Sequence, residues 1–474
     1  MRPPLSSARF LYTMVLLLPL LLPGCSIPKP LIDQIRERGE LTVATRDSLA
    51  AYYEGLNGPD GLEYELASRF AHELGVKVRF LTPEQPGDLL PMVIRGEADF
   101  AAAAIAVTDR LRLRVKFTPP YQEITQQLVY RSGSPRPKTI REAGEGILEV
   151  AAGSSQEEIL KRLRQEEPEL EWNANPELDT QELLTLVWEQ LIDYTIADSN
   201  EVILFRRFHP EIRVAFDVSE PMPLAWAFPH AEDSSLYEAA SRFIQRLRND
   251  GTLAQLIERY YGHVEQLNFV DTRTFRRHIN SRLPALVPHF QEAAEQTGID
   301  WRLLAAIGYQ ESHWDPKAVS PTGVRGIMML TRDTAIQMGV KDRSDPRQSI
   351  LGGARYLRRM EKKIPARIQE PDRLWLALAG YNIGFGHLED ARILTQRGGA
   401  DPDKWSDVKR FLPLLAKERF FKTVKRGFAR GREPVTYVDN IRSYYELLQW
   451  DQQQRLEAVR EPEQLPLPRA PAAL

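Results

Sequence analysis

The chain has 474 residues, enough for two or three domains of ordinary size. Its formal net charge is −3 and 27% of its residues are charged, which excludes a strongly basic nucleic-acid-binding protein and leaves an ordinary water-soluble one. The single cysteine excludes internal disulfides and cysteine-rich zinc sites, and the eight histidines form no HExxH motif, so we expect neither a metal nor a cofactor.

The N-terminus has the pattern of an export signal. Arg2 and Arg9 precede an apolar run from Leu11 to Leu22, which is too short to span a bilayer and has the length of a signal-peptide core. Cys25 follows directly, and the sequence before it resembles a lipoprotein signal box. The resemblance implies acylation of Cys25 and attachment to the periplasmic face of the outer membrane. A cleaved signal with only peripheral membrane contact is the alternative.

Strand and helix patterns then alternate between residues 40 and 265. Such alternation predicts an α/β fold with parallel sheets, and its two rounds predict two lobes with a ligand cleft between them. The predicted strands are Leu41–Ala44, Val76–Phe80, a strand opening at Asp99 and one opening at Leu148. The predicted helices are Leu62–Leu74, Leu89–Ile94 and Glu157–Arg164.

This region contains three motifs: Gly96-Glu97-Ala98-Asp99, the segment from Thr108 to Tyr121, and Gly153-Ser154-Ser155 at a strand-to-helix turn. Together they resemble the family 3 periplasmic solute-binding proteins, which bind amino acids. Leu111 occupies the position of the family's ligand-binding arginine, so Arg110 fills that role only with a one-residue shift. A clamshell that serves as a scaffold and binds nothing is the alternative.

The resemblance also implies a role for each ligand-binding residue. A guanidinium group and helix N-terminal amides both attract carboxylates, which suits the binding of an amino acid or a wall-derived peptide. The implied contacts are Arg110 and Ser154 or Ser155 with the α-carboxylate, Asp198 with the α-amino group, and Tyr52 or Tyr53 with the ligand side chain.

A helical region begins near Leu283 and is predicted to be mostly α, with a short strand near Val435 as the one exception. Within it, Asp300 is a good N-cap for a helix that runs towards Pro316. Leu304, Ile307, Gly308 and Glu311 share one face of that helix, so the apolar face ends in a carboxylate. Buried glutamates are rare unless they are paired or functional, which makes Glu311 either a paired surface residue or a catalytic one.

Four motifs follow one another in this region: Glu311-Ser312, the segment from Ser320 to Leu330, Tyr381-Asn382 and Tyr437-Val438. In this order they resemble the family 1 lytic transglycosylases, the soluble branch of the lysozyme superfamily, over residues 286–450. The resemblance implies a lysozyme-like fold, peptidoglycan strands as substrate and Glu311 as the single catalytic acid and base. The family has glutamine where this chain has Met329, so no amide contact is expected there. The implied substrate-binding residues are Ser320, Gly326, Met328, Met329, Tyr381, Asn382 and Tyr437.

The chemistry predicted for Glu311 requires a protonated carboxyl group. A free glutamate, with a pKa of about 4.3, is ionised at neutral pH, and apolar surroundings raise that pKa. Asp315 is the nearest second carboxylate in sequence, but Asp315-Pro316 predicts a turn. Without a second carboxylate, the resemblance implies that the 6-hydroxyl of N-acetylmuramic acid attacks and forms a 1,6-anhydro product. Two alternatives stay open: a lysozyme-type hydrolase that uses Asp315 and water, and a non-enzymatic amino-acid or peptide receptor that grips peptidoglycan.

These patterns divide the chain into a signal, two modules, two linkers and a tail. The predicted boundaries are 1–25 for the signal, 26–39 for a linker, 40–265 for the solute-binding-like module, 266–285 for a second linker, 286–450 for the lytic-transglycosylase-like module and 451–474 for a disordered tail.

Overall fold

The computed structural model of the protein describes residues 29–56, 58–262, 269–320 and 323–460. The predicted export signal and Cys25 therefore lie outside the described residues, as do positions 461–474. In the described ranges, no helix combines the length and the apolar character needed to cross a bilayer.

The first module alternates strands and helices. Its strands are β1 (Glu40–Ala44), β2 (Tyr53–Gly55), β3 (Gly58–Asp60), β4 (Lys77–Leu81), β5 (Phe100–Ala101), β6 (Val115–Phe117), β7 (Gln122–Ile124), β8 (Gln126–Arg131), β9 (Leu148–Ala151), β10 (Asn173–Asn175), β11 (Tyr194–Asp198), β12 (Ile212–Asp217), β13 (Met222–Leu224) and β14 (Ala227–Pro229). Its helices are α1 (Leu31–Arg38), α2 (Leu62–Leu74), α3 (Leu89–Ile94), α4 (Asp109–Arg112), α5 (Ile140–Gly144), α6 (Ser155–Leu163), α7 (Thr180–Glu189), α8 (Ser199–Phe208), α9 (Ser235–Asn249) and α10 (Thr252–Tyr261).

Two five-stranded sheets form two lobes, which confirms the predicted two-lobed architecture. The order is β4-β1-β5-β14-β6 in lobe one and β10-β9-β11-β8-β12 in lobe two. The expectation of parallel sheets is only partly right, because β14 in lobe one and β8 in lobe two run antiparallel to their neighbours. Both strands directly follow the antiparallel pair β7 and β13, through which the chain passes from one lobe to the other. After each crossing, the first strand that the chain adds to a sheet, β8 or β14, therefore runs opposite to the strands beside it.

Helix α1 belongs to lobe one and corrects the predicted linker over 26–39. Ile35 is fully buried in the apolar core of that lobe, together with Phe70, Phe100 and Trp226. The Ile32 amide also donates to the Ser235 hydroxyl of α9 at 3.2 Å. Burial of one large aliphatic side chain contributes roughly 1.5–3 kcal/mol, enough to hold a short helix against a sheet.

The second module is helical. Its helices are α11 (Phe269–Ser281), α12 (Val287–Thr297), α13 (Trp301–Ser312), α14 (Arg332–Met338), α15 (Pro346–Lys363), α16 (Asp372–Ile383), α17 (Phe385–Arg397), α18 (Trp405–Phe411), α19 (Glu418–Phe421) and α20 (Glu433–Arg460). Helix α13 lies at its centre, with every residue from Leu303 to Tyr309 buried. The indole nitrogen of Trp314 donates to the Ala305 carbonyl at 2.8 Å and fastens the chain beyond α13 to the same helix.

Helix α20 corrects two expectations. It begins at Glu433, so there is no strand at Val435, and it continues to Arg460, so residues 451–460 are helical rather than a disordered tail. The extension has a physical cause, because its later turns contact the first module. The Trp450 ring stacks on Phe208 with centroids 5.4 Å apart, and the Gln453 amide donates to the Glu54 carbonyl at 3.0 Å.

The same helix joins the two modules through charged contacts. Arg442 lies 3.3 Å from the Glu258 carboxylate of α10 and donates to the Arg259 carbonyl at 2.6 Å. Lys409 of α18 reaches Glu258 at 2.6 Å. Arg207 of α8 pairs with Glu446 at 2.8 Å. Since the side chain of Arg442 is 2% exposed, its contacts with α10 are shielded from solvent and, with the Arg207–Glu446 pair, they hold α20 against the first module.

Candidate active site and ligand cleft

Glu311 lies in the last turn of α13, at the end of a well-capped helix. The Asp300 side chain accepts from the Arg302 amide at 2.9 Å, which confirms the predicted N-cap. His313 and Trp314 both have positive φ, 52° and 58°, and turn the chain away directly after Glu311. The carboxyl group is therefore held at the end of a rigid helix, and its side chain is only partly exposed.

Two distant segments bring tyrosines to this carboxyl group. The Tyr437 hydroxyl of α20 donates to Glu311 Oε1 at 2.6 Å. The Tyr381 ring of α16 lies parallel to the Tyr437 ring with centroids 6.4 Å apart, and its hydroxyl donates to the Met328 carbonyl at 3.2 Å. The structure thus brings together Glu311, Tyr381 and Tyr437. Asn382, the next residue of α16, is exposed.

Burial sets the protonation of the site. It raises the pKa of Glu311 from its ordinary value to about 7, while the hydrogen bond from Tyr437 opposes the rise. Burial also raises the pKa of both Tyr381 and Tyr437, and the negative charge of Glu311 adds to the rise. Both hydroxyls therefore keep their protons at neutral pH and act as donors, while Glu311 is divided between its acid and base forms.

Asp315 serves the turn rather than the carboxyl group of Glu311. Its Oδ1 accepts from the Lys317 amide at 2.9 Å, and its own amide donates to the Ser312 carbonyl at 3.1 Å. None of the described carboxylates adds to the pKa shift of Glu311. The described site therefore contains one carboxyl group in an apolar setting, without an acidic partner.

The loop after α13 is held to the helix by Ser312 and closed by Ser320. The Ser312 hydroxyl lies 2.9 Å from the Ile327 carbonyl and 3.0 Å from the Gly308 carbonyl. The Ser320 amide donates to the Val324 carbonyl at 3.1 Å, and the Ser320 hydroxyl accepts from the Val324 amide at 3.3 Å. The Ser320 side chain thus shapes the loop beside Glu311.

Two of the predicted substrate contacts need correction. The Met328 side chain is fully buried and packs against Gly353, so only its carbonyl, the acceptor for Tyr381, reaches the site. Gly326 is buried with φ 81°, and a Cβ there would lie 1.8 Å from the Arg343 carbonyl oxygen. Its role is the close approach of two backbones rather than a surface for the glycan. Met329 is partly exposed and has φ 44°, an uncommon conformation for a residue other than glycine.

In the first module, the structure places Asp198 where β11 ends and α8 begins. The carboxylate is buried and accepts from the Gln156 amide at 2.8 Å and the Gln126 amide at 3.2 Å. Gln126 also donates to the Ser155 hydroxyl at 2.8 Å. The Ser154 hydroxyl caps α6 by accepting from the Glu157 amide at 3.2 Å. Asp198 and Ser155 therefore share one polar network.

Arg110 bridges the two lobes, whereas the two tyrosines lie elsewhere. The Arg110 guanidinium donates to the Gly153 carbonyl at 2.9 Å, next to Ser154. The Tyr52 ring packs against Tyr64 and Phe80, with centroids 5.9 and 5.2 Å away. The Tyr53 hydroxyl donates to Asp60 at 3.3 Å. Both tyrosines are thus held by other groups of lobe one, and contact of either with the ligand stays a prediction.

The sequence reasoning missed the charged pair beside Asp198. Arg46 of lobe one and Glu201 of α8 form an ion pair at 2.9 Å across the lobes. Burial raises the pKa of Glu201 to about 7, against the charge of Arg46. Arg46 lies two residues beyond β1, at the carboxyl end of a parallel strand, where ligands of α/β proteins bind. That position is the signal that could have found it. Three buried polar atoms of this region have no hydrogen-bond partner among the described residues: Arg46 Nε, Gln126 Oε1 and Glu201 Oε2.

Known protein families match both modules. The model of the bacterial extracellular solute-binding proteins, family 3, matches residues 41–263, and the transglycosylase SLT domain matches residues 288–403. A relative from Alkalilimnicola ehrlichii, called membrane-bound lytic murein transglycosylase F 1, is 50% identical over 89% of this chain and 86% of its own. A membrane-bound lytic murein transglycosylase F from Saccharophagus degradans is 45% identical over 91% of this chain and 87% of its own.

The fold and the site define a family 3 solute-binding module joined to an SLT-type transglycosylase domain. Since its relatives match along most of both chains, the protein belongs to the family of membrane-bound lytic murein transglycosylase F.

The role of Gly326 is testable with a matched pair of variants. Gly323→Ala and Gly326→Ala both place a Cβ on a residue with φ near 80°. Only the second Cβ meets the Arg343 carbonyl, since among the described residues beyond its chain neighbours no atom lies within 4 Å of a Cβ at Gly323. We expect Gly323→Ala to destabilise the catalytic module by about 1 kcal/mol and Gly326→Ala by about 3 kcal/mol or more. Scanning calorimetry of the full chain measures both. Equal losses of thermal stability in the two variants would contradict the packing role.

Proposed function

We propose that this protein is an exported peptidoglycan lytic transglycosylase that uses Glu311 as its only catalytic acid and base. The observation that carries the proposal is a single buried carboxyl group with a pKa raised to about 7, bound by Tyr437 and lacking an acidic partner among the described residues. The names of the relatives, which call them lytic murein transglycosylases, support the same activity.

In the proposed reaction, Glu311 first donates its proton to the oxygen of the β-1,4 bond between N-acetylmuramic acid and N-acetylglucosamine. The 6-hydroxyl of the same muramic acid residue then attacks its anomeric carbon and gives its proton to the Glu311 carboxylate. The products are a free 4-hydroxyl on the leaving sugar and a 1,6-anhydro end on the other. A Glu311 pKa of about 7 suits both half-reactions, because the protonated and the ionised carboxyl group are then both well populated at neutral pH.

The neighbouring residues have supporting roles in this proposal. Tyr437 holds one carboxylate oxygen, which leaves Oε2 to face the glycosidic bond. Tyr381, fixed by the Met328 carbonyl, flanks Tyr437 as part of the wall of the cleft. Ser320, Met329 and Asn382 are proposed to contact the glycan. Because Asp315 is held in its turn, the lysozyme-type hydrolase is the weaker candidate.

The first module is proposed to bind an amino acid or a wall-derived peptide and to regulate the enzyme. Asp198 is the proposed partner of the α-amino group, and the buried unpaired atoms of Arg46, Gln126 and Glu201 offer further polar contacts. The route to the active site is short, since α20 carries both Arg442, which contacts α10, and Tyr437, which contacts Glu311.

Membrane attachment is proposed because the relatives are called membrane-bound. The attachment would be through an acylated Cys25 or by peripheral contact, at the periplasmic face of the outer membrane. Labelling with palmitate separates the two: label that Cys25→Ala removes means a lipid anchor, and an unlabelled wild-type protein contradicts it.

The role of Glu311 is tested by Glu311→Gln with Asp315→Asn as its matched control. Both replace a carboxylate by an amide of the same shape. We expect Glu311→Gln to fold normally and to lose activity on purified sacculi by about 10²–10⁴-fold, while Asp315→Asn stays close to wild type because its Oδ1 acceptor is preserved. An active Glu311→Gln protein would contradict the assignment.

The Tyr437 hydrogen bond is tested by the pH dependence of Tyr437→Phe. The bond lowers the pKa of Glu311 from the value that burial alone would give, so its loss raises that pKa. Because the first step needs protonated Glu311, the alkaline limb of kcat/KM, expected near pH 7 in the wild-type enzyme, moves to higher pH in the variant. A limb that stays in place or moves to lower pH would show that Tyr437 does not set the pKa of Glu311.

The ligand cleft is tested by thermal shifts of the full chain with free amino acids and muropeptides. A ligand at one hundred times its Kd stabilises the folded state by about 2.7 kcal/mol, and Asp198→Ala should abolish the shift. Asp217→Ala, which removes an exposed carboxylate elsewhere in lobe two, should keep it. If no compound shifts the wild-type protein, or if Asp198→Ala responds as the wild-type protein does, the proposed cleft is wrong.

A further inference from the structure

One segment of the catalytic module carries a strong charge that the proposed mechanism does not use. Residues 417–433, hereafter the basic segment, contain seven Lys and Arg and two Glu, a net charge of +5 in a chain of net charge −3. All nine charged side chains are exposed. Lys422 pairs with Glu418 at 2.5 Å and Arg430 with Glu433 at 3.2 Å. In the described part of the chain, no carboxylate pairs with the other five: Lys417, Arg419, Lys425, Arg426 and Arg432.

The backbone of the basic segment is fixed, so its charges have defined positions. The Arg426 amide donates to the buried Asp390 carboxylate at 2.6 Å, and Arg397 of α17 donates to the Thr423 carbonyl at 3.0 Å. The Ala429 amide donates to the Leu415 carbonyl at 3.1 Å. A preorganised set of cations pays little ordering cost when it binds an anion.

The basic segment lies beside the proposed cleavage site. Its last cation, Arg432, precedes Tyr437 by five residues, which is about 7.5 Å along a helix axis. At its middle, the Arg426 side chain packs against Gly386, close to where a Cβ would stand. Gly386 is the second residue of α17, which starts directly after the turn that follows Tyr381 and Asn382. The basic segment is therefore linked to the residues around Glu311 in two places, through Arg432 to Tyr437 and through Arg426 to the start of α17.

The apolar residues of the segment favour a wall polymer over a lipid surface as its partner. A membrane-binding element presents a broad apolar face opposite its basic one. Here Phe420 and Val424 pack into the core of the module, and Phe428, 58% exposed, is the one large apolar side chain that the described segment leaves at the surface. Exposed cations with little exposed apolar surface match a hydrated, anionic ligand.

We propose that the basic segment binds the carboxylates of the peptide stems of peptidoglycan beside the bond that is cleaved. Each N-acetylmuramic acid residue carries a short peptide on its lactyl group, and the free carboxylates of these peptides make the strand anionic although its sugars are neutral. Arg and Lys bind carboxylates by charge-assisted hydrogen bonds. The inference rests on the proposed function, since it adds a preference for peptide-bearing strands to that reaction.

The test measures binding of soluble glycan strands to the full chain in a Glu311→Gln background, so that no strand is cleaved. Strands released by an endopeptidase keep their stems with several carboxylates each, and strands treated with an amidase lose the stems and keep one lactyl carboxylate on each muramic acid residue. We expect tighter binding of the stem-bearing strands, with a difference that shrinks as salt screens the charges. Lys417→Gln, Lys425→Gln and Arg432→Gln together should raise the Kd for stem-bearing strands at least about threefold and raise the Kd for amidase-treated strands by a smaller factor.

A matched triple variant controls for net charge. Lys341→Gln, Arg359→Gln and Lys362→Gln remove three exposed cations from elsewhere in the module, two of them in a cavity next to Thr297. This variant should bind both kinds of strand like the unsubstituted protein. The proposal is overturned if the basic-segment variant weakens both kinds of strand equally, or neither. It is also overturned if that variant loses only binding to phosphatidylglycerol vesicles, which would make the segment a membrane surface.

Failure of the proposed reaction is distinguished from failure of the proposed binding site by analysing the products of the wild-type protein for 1,6-anhydro ends. If the wild-type protein forms no 1,6-anhydro ends but the basic-segment variant still loses stem-dependent binding, the proposed reaction fails and the binding site stands. If anhydro ends form and binding does not depend on the stems, the reverse holds.

Discussion

The hydrogen bond between the Tyr437 hydroxyl and Glu311 joins a helix end to a helix start that are far apart in the chain. Burial alone would drive the carboxyl group towards permanent protonation, and an exposed position would leave it permanently ionised. The 2.6 Å hydrogen bond stabilises the ionised form and opposes part of the rise caused by burial, so the pKa of Glu311 is about 7. The rigid end of α13, the turn after it and the stacked tyrosines all serve to keep this one carboxyl group in place.

Helix α20 is the element through which the two modules meet at that bond. Near its start it presents Tyr437 to Glu311, one further turn on it presents Arg442 to α10, and near its end it stacks Trp450 on Phe208 of α8. A shift of the first module against α20 would therefore act on a helix that holds the Glu311 carboxyl group. Because packed interfaces rearrange between discrete states rather than deform gradually, such contacts are suited to switching.

Local patterns in the sequence predicted much of this structure. The helix of Leu62–Leu74 and its end at Gly75, the N-cap at Asp300 and the apolar face that ends in Glu311 follow from side chains within one or two turns of each other. The predictions that were wrong concern features that depend on contacts between residues far apart in the sequence. The direction of β8 and β14 is set by the crossover between lobes, and α20 passes residue 450 because Trp450 finds a partner in the first module.

The candidate sites divide in the same way. The order of the motifs predicted that Glu311, Tyr381 and Tyr437 share one site, and the structure brings these three side chains together. Met328 and Gly326 lie in the same motif, yet the Met328 side chain is buried and the Gly326 backbone packs closely against the Arg343 carbonyl. Both residues therefore stabilise the loop from its buried side. In the cleft of the first module, Arg46 and Glu201 come from different lobes and carry no joint signal in the sequence.

The most direct test of the account is the mass spectrum of the products released from purified sacculi by the full chain. A single carboxyl group in an apolar setting offers no second carboxylate to activate water or to act as the nucleophile, whereas a tethered 6-hydroxyl reacts with a high effective molarity. The account predicts muropeptides that end in 1,6-anhydro-N-acetylmuramic acid, each lighter by one water than the corresponding hydrolysis product. Products with reducing N-acetylmuramic acid ends would contradict it and would require a second group that activates water next to Glu311.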